Sequence, residues 1–164
     1  MKVTIFKTVK HIKSPFHVDM STALRRIKEG KSKSLIKKIR EGDKLKKQDL
    51  PIVCFSGEFS TRNDDALFEH SGYIILDFDH VDVGAAKTAI ATDEYVYSCW
   101  TSPSGDGIKA LVQITNPERH RDHFRALRTY FQKQYCLEID ESGINESRAC
   151  FESYDPDIII KDES

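Results

Sequence analysis

Residues 74–79 read IILDFD. Asp77 and Asp79 lie two apart in a strand-like run, so their side chains project from one face. Two carboxylates on one face repel each other, and a covered strand tolerates them only with a cation between them or with its end in solvent. Paired strand carboxylates are a platform for Mg²⁺ or Mn²⁺, hard ions that take oxygen ligands and keep positions open for phosphates. The plain alternative is a strand reaching the surface, with an aspartate capping the next helix. Asp82 suits that capping role better.

Residues 101–112 read TSPSGDGIKALV. Ser102, Ser104, Gly105 and Gly107 leave backbone N–H groups accessible, the makings of an anion-binding nest, and Lys109 follows as a point charge against phosphate. The GxxxxGK[ST] spacing of a P-loop is absent, and a strand follows rather than a helix. A plain turn with a solvated lysine has the same composition. Residues 137–157 read LEIDESGINESRACFESYDPD. There Asp140 is a candidate third acidic ligand and Arg148 a bidentate phosphate holder. The plain alternatives are an exposed Asp140–Arg148 pair and, at Asp155 before Pro156, an ordinary turn acid.

These residues need elements to hold them. Residues 2–9 alternate as a strand. Residues 19–29 read as a helix that Gly30 ends, with Asp19 or Ser21 as cap, and 32–41 as a second, strongly basic helix. A polar loop runs over 41–51. Ile52–Phe55 reads as a strand, Asp64–Glu69 as a short helix, and Tyr73–Asp79 as a central strand covered on both faces. A helix over Val83–Ala91, strands over Tyr95–Thr101 and Ile108–Thr115, and a long helix over roughly 118–135 follow. Short strands are expected over Leu137–Ile139 and Arg148–Ser153. Imperfect alternation of strands and helices predicts an α+β fold with a mixed or antiparallel sheet flanked by helices.

Composition narrows the class. The chain has 164 residues, enough for one domain with a real core. No apolar run approaches the roughly 20 residues of a membrane span. MKVTIFKTVK lacks the apolar region of a signal peptide, so a cytoplasmic location is expected and no membrane partner. Cys54, Cys99, Cys136 and Cys150 are too scattered for a zinc ribbon or a CxxC pair; Cys54 and Cys99, inside apolar runs, read as reduced core residues. His120 and His123 share a helix face without a third ligand. Net charge is -1, yet residues 1–50 hold 15 Lys+Arg against 5 Asp+Glu, whereas 51–164 hold 10 against 21. A basic segment beside an acidic one points to a polyanion partner.

Taken in order, the strand-end acids, the small-residue loop with a basic residue on the next strand, and the later acid resemble the archaeo-eukaryotic primase superfamily. Asp77 and Asp79 match its first motif; Gly107, Ile108 and Lys109 match its second, which usually carries histidine; Asp140, or less directly Asp155, matches its third. Lysine neutralises phosphate but does not donate a proton as histidine does. Within that superfamily, FSGEFSTRNDDALFEHSGYIILDFD, WTSPSGDGIKALVQI and ESRACFESYDPDI are similar to the BT4734-like domain, also called VirE N-terminal, over roughly residues 50–160.

The resemblance implies one domain over 1–164: a basic helical segment (1–50) and a motif-bearing, RRM-like primase–polymerase core (51–160). It implies a nucleotidyltransferase of a phage, plasmid or mobile-element replication protein. Asp77, Asp79 and Asp140 would bind Mg²⁺ or Mn²⁺, with Lys109 in the catalytic set. Ser104, Gly105, Gly107, Lys109, Arg148, Ser56 and Arg62 would hold a nucleoside triphosphate. Arg25, Arg26, Lys37, Lys38 and Arg40 would track single-stranded or primed DNA. Members often continue into a helicase-like region, so a truncated piece and a stand-alone domain are both expected readings of a chain ending at Ser164. The alternatives are a degenerate nucleic-acid-binding domain, a metal-dependent nuclease on the same carboxylates, and a protein-interaction module.

Overall fold

The computed structural model describes residues 1–161. In chain order, these form strands β1 (Lys2–Phe6) and β2 (Phe16–Asp19), helices α1 (Met20–Glu29) and α2 (Lys33–Arg40), and strands β3 (Ile52–Cys54), β4 (Gly57–Phe59), β5 (Leu67–His70) and β6 (Tyr73–Phe78). Helix α3 (Val83–Thr92), strands β7 (Val96–Thr101) and β8 (Ile108–Gln113), helix α4 (His120–Tyr135), and strands β9 (Cys150–Phe151) and β10 (Ile159–Ile160) follow. One sheet has the order β2-β1-β3-β9 and a second β10-β7-β8-β6; β4 and β5 form a separate hairpin. Every pairing is antiparallel, as the α+β reading allowed.

Period-two alternation divides the core into layers. Val3, Ile5 and Val53 of the first sheet face Tyr73, Ile75, Trp100 and Leu111 of the second, and α1 closes this layer with Ala23, Leu24 and Ile27. The opposite face of the second sheet, including Ile74, Leu76, Phe78 and Ala110, packs on Ile90 of α3 and on Phe124 and Phe131 of α4. The outer face of the first sheet, Phe6 and Cys54, is covered by Phe59 of the hairpin. Ile36 and Ile39 pin α2 onto Leu50. β1 sits inside its sheet and α1 inside the core, so the basic N-terminal segment is part of the packed unit.

Local signals explain the element ends. Gly30 stops α1 in the left-handed conformation (φ 79°), where a Cβ is costly. The Asp82 carboxylate accepts the Ala85 N–H at the start of α3. Four expectations change. Asp64–Glu69 is a single 3-10 turn running into β5, because the Asp64 carboxylate is spent on Ser147 and Asn145. Leu137–Ile139 is not a strand. Short strands β2, β4 and β10 are additional to those expected, β10 lying in the apolar run of residues 158–160. Finally, β6 is covered on both faces yet stands at a sheet edge. That edge is closed by single bonds: the Asp140 N–H donates to the Asp77 carbonyl (3.0 Å) and Ser56 Oγ to the Tyr73 carbonyl (2.9 Å).

Candidate functional site

Tyr73, Ile75 and Asp77 alternate along the inner face of β6, so Asp77 ends the layer between the two sheets. The antiparallel register sets Lys109 of β8 directly opposite it. Lys109 Nζ lies 2.7 Å from Asp77 Oδ1, with the two side chains only 13% and 5% exposed. The lysine is buried, not solvated. Arg148, entering β9, donates through Nη2 (2.9 Å) and Nε (3.3 Å) to Asp77 Oδ2, and its Nη2 also reaches Asp140 Oδ2 at 3.4 Å. One guanidinium thus bridges two carboxylates.

Burial alone would raise the Asp77 carboxyl, but Lys109 and Arg148 outweigh it and hold it below the usual carboxylate range. Burial would likewise lower Lys109, and Asp77 raises it instead. Nearby Cys150 is pushed up to about 12 by burial, so its thiol stays protonated and inert. Asp79 lies past the end of β6 and is exposed. Asp140 Oδ1 caps its own 3-10 turn, accepting from Ser142 N–H and Oγ. Of the two candidates for a third acid, Asp140 adjoins Asp77. Asp155 is held by Lys87 (2.8 Å) and the Thr101 N–H instead.

Arg148 also lines a polar pocket of about 270 Å³ with Arg62, Ser142, Asn145 and Ser147. Arg62 Nε is buried without a hydrogen-bond partner among the described residues. Arg62 and Arg148, 86 residues apart in sequence, therefore line one pocket beside the carboxylates.

Most of the remaining expected residues have structural engagements, whereas Ser104, Lys37 and Lys38 are exposed. Gly105 N–H donates to the Ser102 carbonyl and Gly107 N–H to Ser102 Oγ, closing the loop as a turn. A Cβ on Gly107 would sit 2.7 Å from the Phe78 carbonyl oxygen, so glycine lets the loop carrying Ser104 meet the end of β6. Arg40 clamps that loop from α2, donating to the carbonyls of Ser102, Pro103 and Tyr154. Arg26 is paired with buried Glu152, and Arg25 with Glu29 across one helical turn. Ser56, buried, is committed to the edge of β6.

Sequence reading overlooked a histidine pair bordering this region. The Gly72 N–H donates to His70 Nδ1 (2.8 Å), which leaves the proton on Nε2, facing His120 Nδ1 at 3.0 Å. Burial, then His120, pushes His70 down to about 4, and burial also lowers His120. The unfolded chain therefore takes up protons first, and stability present above about pH 6.5 is lost as pH falls toward 4. The full shift is worth about 3 kcal/mol, and solvent access to the half-buried ring reduces this to about 1–2 kcal/mol. Urea unfolding of wild type and His70→Asn at pH 7.5, 6 and 5 checks this. The wild-type stability is expected to fall more steeply with acid, and parallel curves would refute it.

A family model described as BT4734-like, N-terminal domain, matches residues 45–159. No curated protein and no solved structure matches.

Proposed function

Because the chain belongs to the BT4734-like N-terminal domain family, we propose that it is a primase/polymerase-type nucleotidyltransferase domain. In this reading it handles a nucleoside triphosphate on a nucleic-acid strand. The observation that carries the reading is Arg148, which bridges Asp77 and Asp140 while lining a polar pocket with Arg62. A cationic cradle beside hard-oxygen donors is what phosphoryl transfer needs: charge to hold a polyphosphate, and carboxylates next to the reacting end.

Among the described residues no three His, Cys, Asp or Glu side chains form a ready metal cluster. The donor chemistry nonetheless suits Mg²⁺ or Mn²⁺, and Asp77, Asp79 and Asp140 would hold it, with Asp77 Oδ2 freed when Arg148 turns to phosphate. Such an ion supplies Lewis-acid activation of the phosphoryl oxygens. Lys109, locked on Asp77 Oδ1, fixes the rotamer of that carboxylate and does not itself reach for substrate. Arg62 and Arg148 bind and orient the anion. The RRM-like core, a replication role and partnership with a helicase-like region are parts of the same proposal.

Saturation of Asp77 by two cations favours a second reading, a nucleic-acid-binding domain that keeps the fold without turnover. Incubation with primed and unprimed single-stranded DNA, Mn²⁺ or Mg²⁺ and labelled nucleotides separates the two. Incorporation is expected from wild type, with a loss of 100-fold or more in Asp79→Asn and in Asp140→Asn. DNA binding without incorporation would overturn turnover in favour of the second reading. Strand cleavage without nucleotides would make the site a nuclease.

A further inference from the structure

Five of the ten Lys and Arg residues in 51–164 fall between Arg119 and Lys133, in and just before α4. This is a basic island in an otherwise acidic stretch. Arg121, Arg125 and Arg128 recur at i, i+4 and i+7, one exposed stripe of the helix. Beside it, Arg125, Arg128, Thr129, Gln132 and Lys133 line an open cleft of about 500 Å³ against Glu138 and Ile139. Ile139, in the wall of the cleft, immediately precedes Asp140 in the chain.

We infer that this cleft is the track for a single nucleic-acid strand, with Arg125, Arg128 and Lys133 taking successive phosphates and Arg121 extending the line toward Arg148. The inference rests on the nucleic-acid part of the proposed function and relocates the contact from α1 and α2. Four cations over residues 121–133 span about 18 Å at 1.5 Å per residue. A lone phosphate needs one or two cations, whereas a line of this length matches a chain of them. The arginines are not free: Arg121 pairs with Glu146 and Asp64, Arg125 with Asp122 at 3.4 Å, and Arg128 with Glu141 at 3.1 Å. The Arg125 and Arg128 pairs join exposed side chains, which are weak and exchangeable for phosphate. Lys133 has no ion-pair partner among the described residues. On the expected N-terminal helices, by contrast, Arg26 of α1 and Arg40 of α2 are spent on Glu152 and on loop carbonyls, with Lys37 and Lys38 exposed.

The test is fluorescence anisotropy of 5′-fluorescein-dT20 with the whole chain across 50–200 mM salt. Arg125→Gln/Arg128→Gln/Lys133→Gln is expected to weaken binding at least tenfold at low salt. Its log–log salt slope should shrink by about 2, the yield of three single-strand phosphate contacts. Lys133→Gln alone, which disturbs no ion pair, should shrink the slope by about 0.7. Arg125→Lys/Arg128→Lys should keep most of it. Wild-type affinity and slope in both the triple variant and Lys133→Gln would overturn the track alone, leaving nucleotide incorporation to report on Asp79 and Asp140. A wild-type chain that binds no dT20 would overturn the track together with the nucleic-acid part of the proposed function.

Discussion

Asp77→Ala is expected to lower the unfolding free energy by about 3–5 kcal/mol, the cost of stranding a buried charge. Lys109, 13% exposed at its side chain, would keep its positive charge with no carboxylate at 2.7 Å to balance it, and Arg148 would lose its shorter contact. Lys109→Met should cost less than Asp77→Ala, because Arg148 still compensates the aspartate. Asp77→Ala/Lys109→Met should cost clearly less than the sum of the single changes, since removing both partners leaves no orphan charge between them. Urea unfolding of the four proteins measures the coupling, and additive costs would show that the pair is not a unit. In acid the cluster behaves as a depressed carboxylate. Its contribution, complete above the ordinary carboxylate range, is lost as pH falls through the lowered Asp77 value.

This stability role governs how activity data on Asp77 are read. A protein lacking Asp77 loses function by unfolding as readily as by losing a catalytic group. Asp79, exposed beyond the end of β6, and Asp140, on its capped turn, carry no comparable structural load. They are therefore the discriminating positions for chemistry.

Part of this arrangement was legible in the chain. The run YIILDF announced a doubly covered strand, Gly30 and Asp82 marked helix boundaries, and Phe124 and Phe131 marked the buried side of α4. The three motif stretches were also sufficient to name the family that residues 45–159 match. Register was not legible. Nothing in the local sequence says that Asp77 meets Lys109 rather than a residue two positions away, because antiparallel pairing depends on how the intervening 31 residues fold back. Composition likewise could not show that Arg26 and Arg40 are committed to partners within the fold. A cation's solvent access depends on which acid or carbonyl the tertiary fold brings near, here Glu152 and the 102–103 loop, each more than 60 residues distant. The edge position of β6 was hidden for the same reason, since what closes that edge is the backbone of Asp140 and the hydroxyl of Ser56.

Glu152→Ala is expected to cost about 3–4 kcal/mol, and its location makes the loss larger than a local one. The Glu152 side chain is fully buried. Arg26 of α1 donates to both its oxygens (2.6 and 3.1 Å), and Ser32 Oγ, just before α2, donates to Oε1 at 2.6 Å. The Glu152 N–H donates to the Pro51 carbonyl (2.8 Å). One residue near the end of the chain therefore ties down both basic helices and the approach to β3. Glu152→Gln keeps an acceptor for one donor but leaves the guanidinium half-satisfied, so about 1–2 kcal/mol is expected. Arg26 is about a third exposed, and the water it can recruit sets the alanine figure toward the lower end of the range for broken buried pairs. Arg26→Met/Glu152→Leu should recover much of the loss, because an apolar pair of similar volume pays no desolvation. Amide hydrogen exchange gives the sharper test. In Glu152→Ala, protection of α1 and α2 should fall while β6, β7 and β8, held by the second sheet and α4, keep theirs. Uniform loss over all these elements would mean that Glu152 contributes only to global stability and does not anchor the helices.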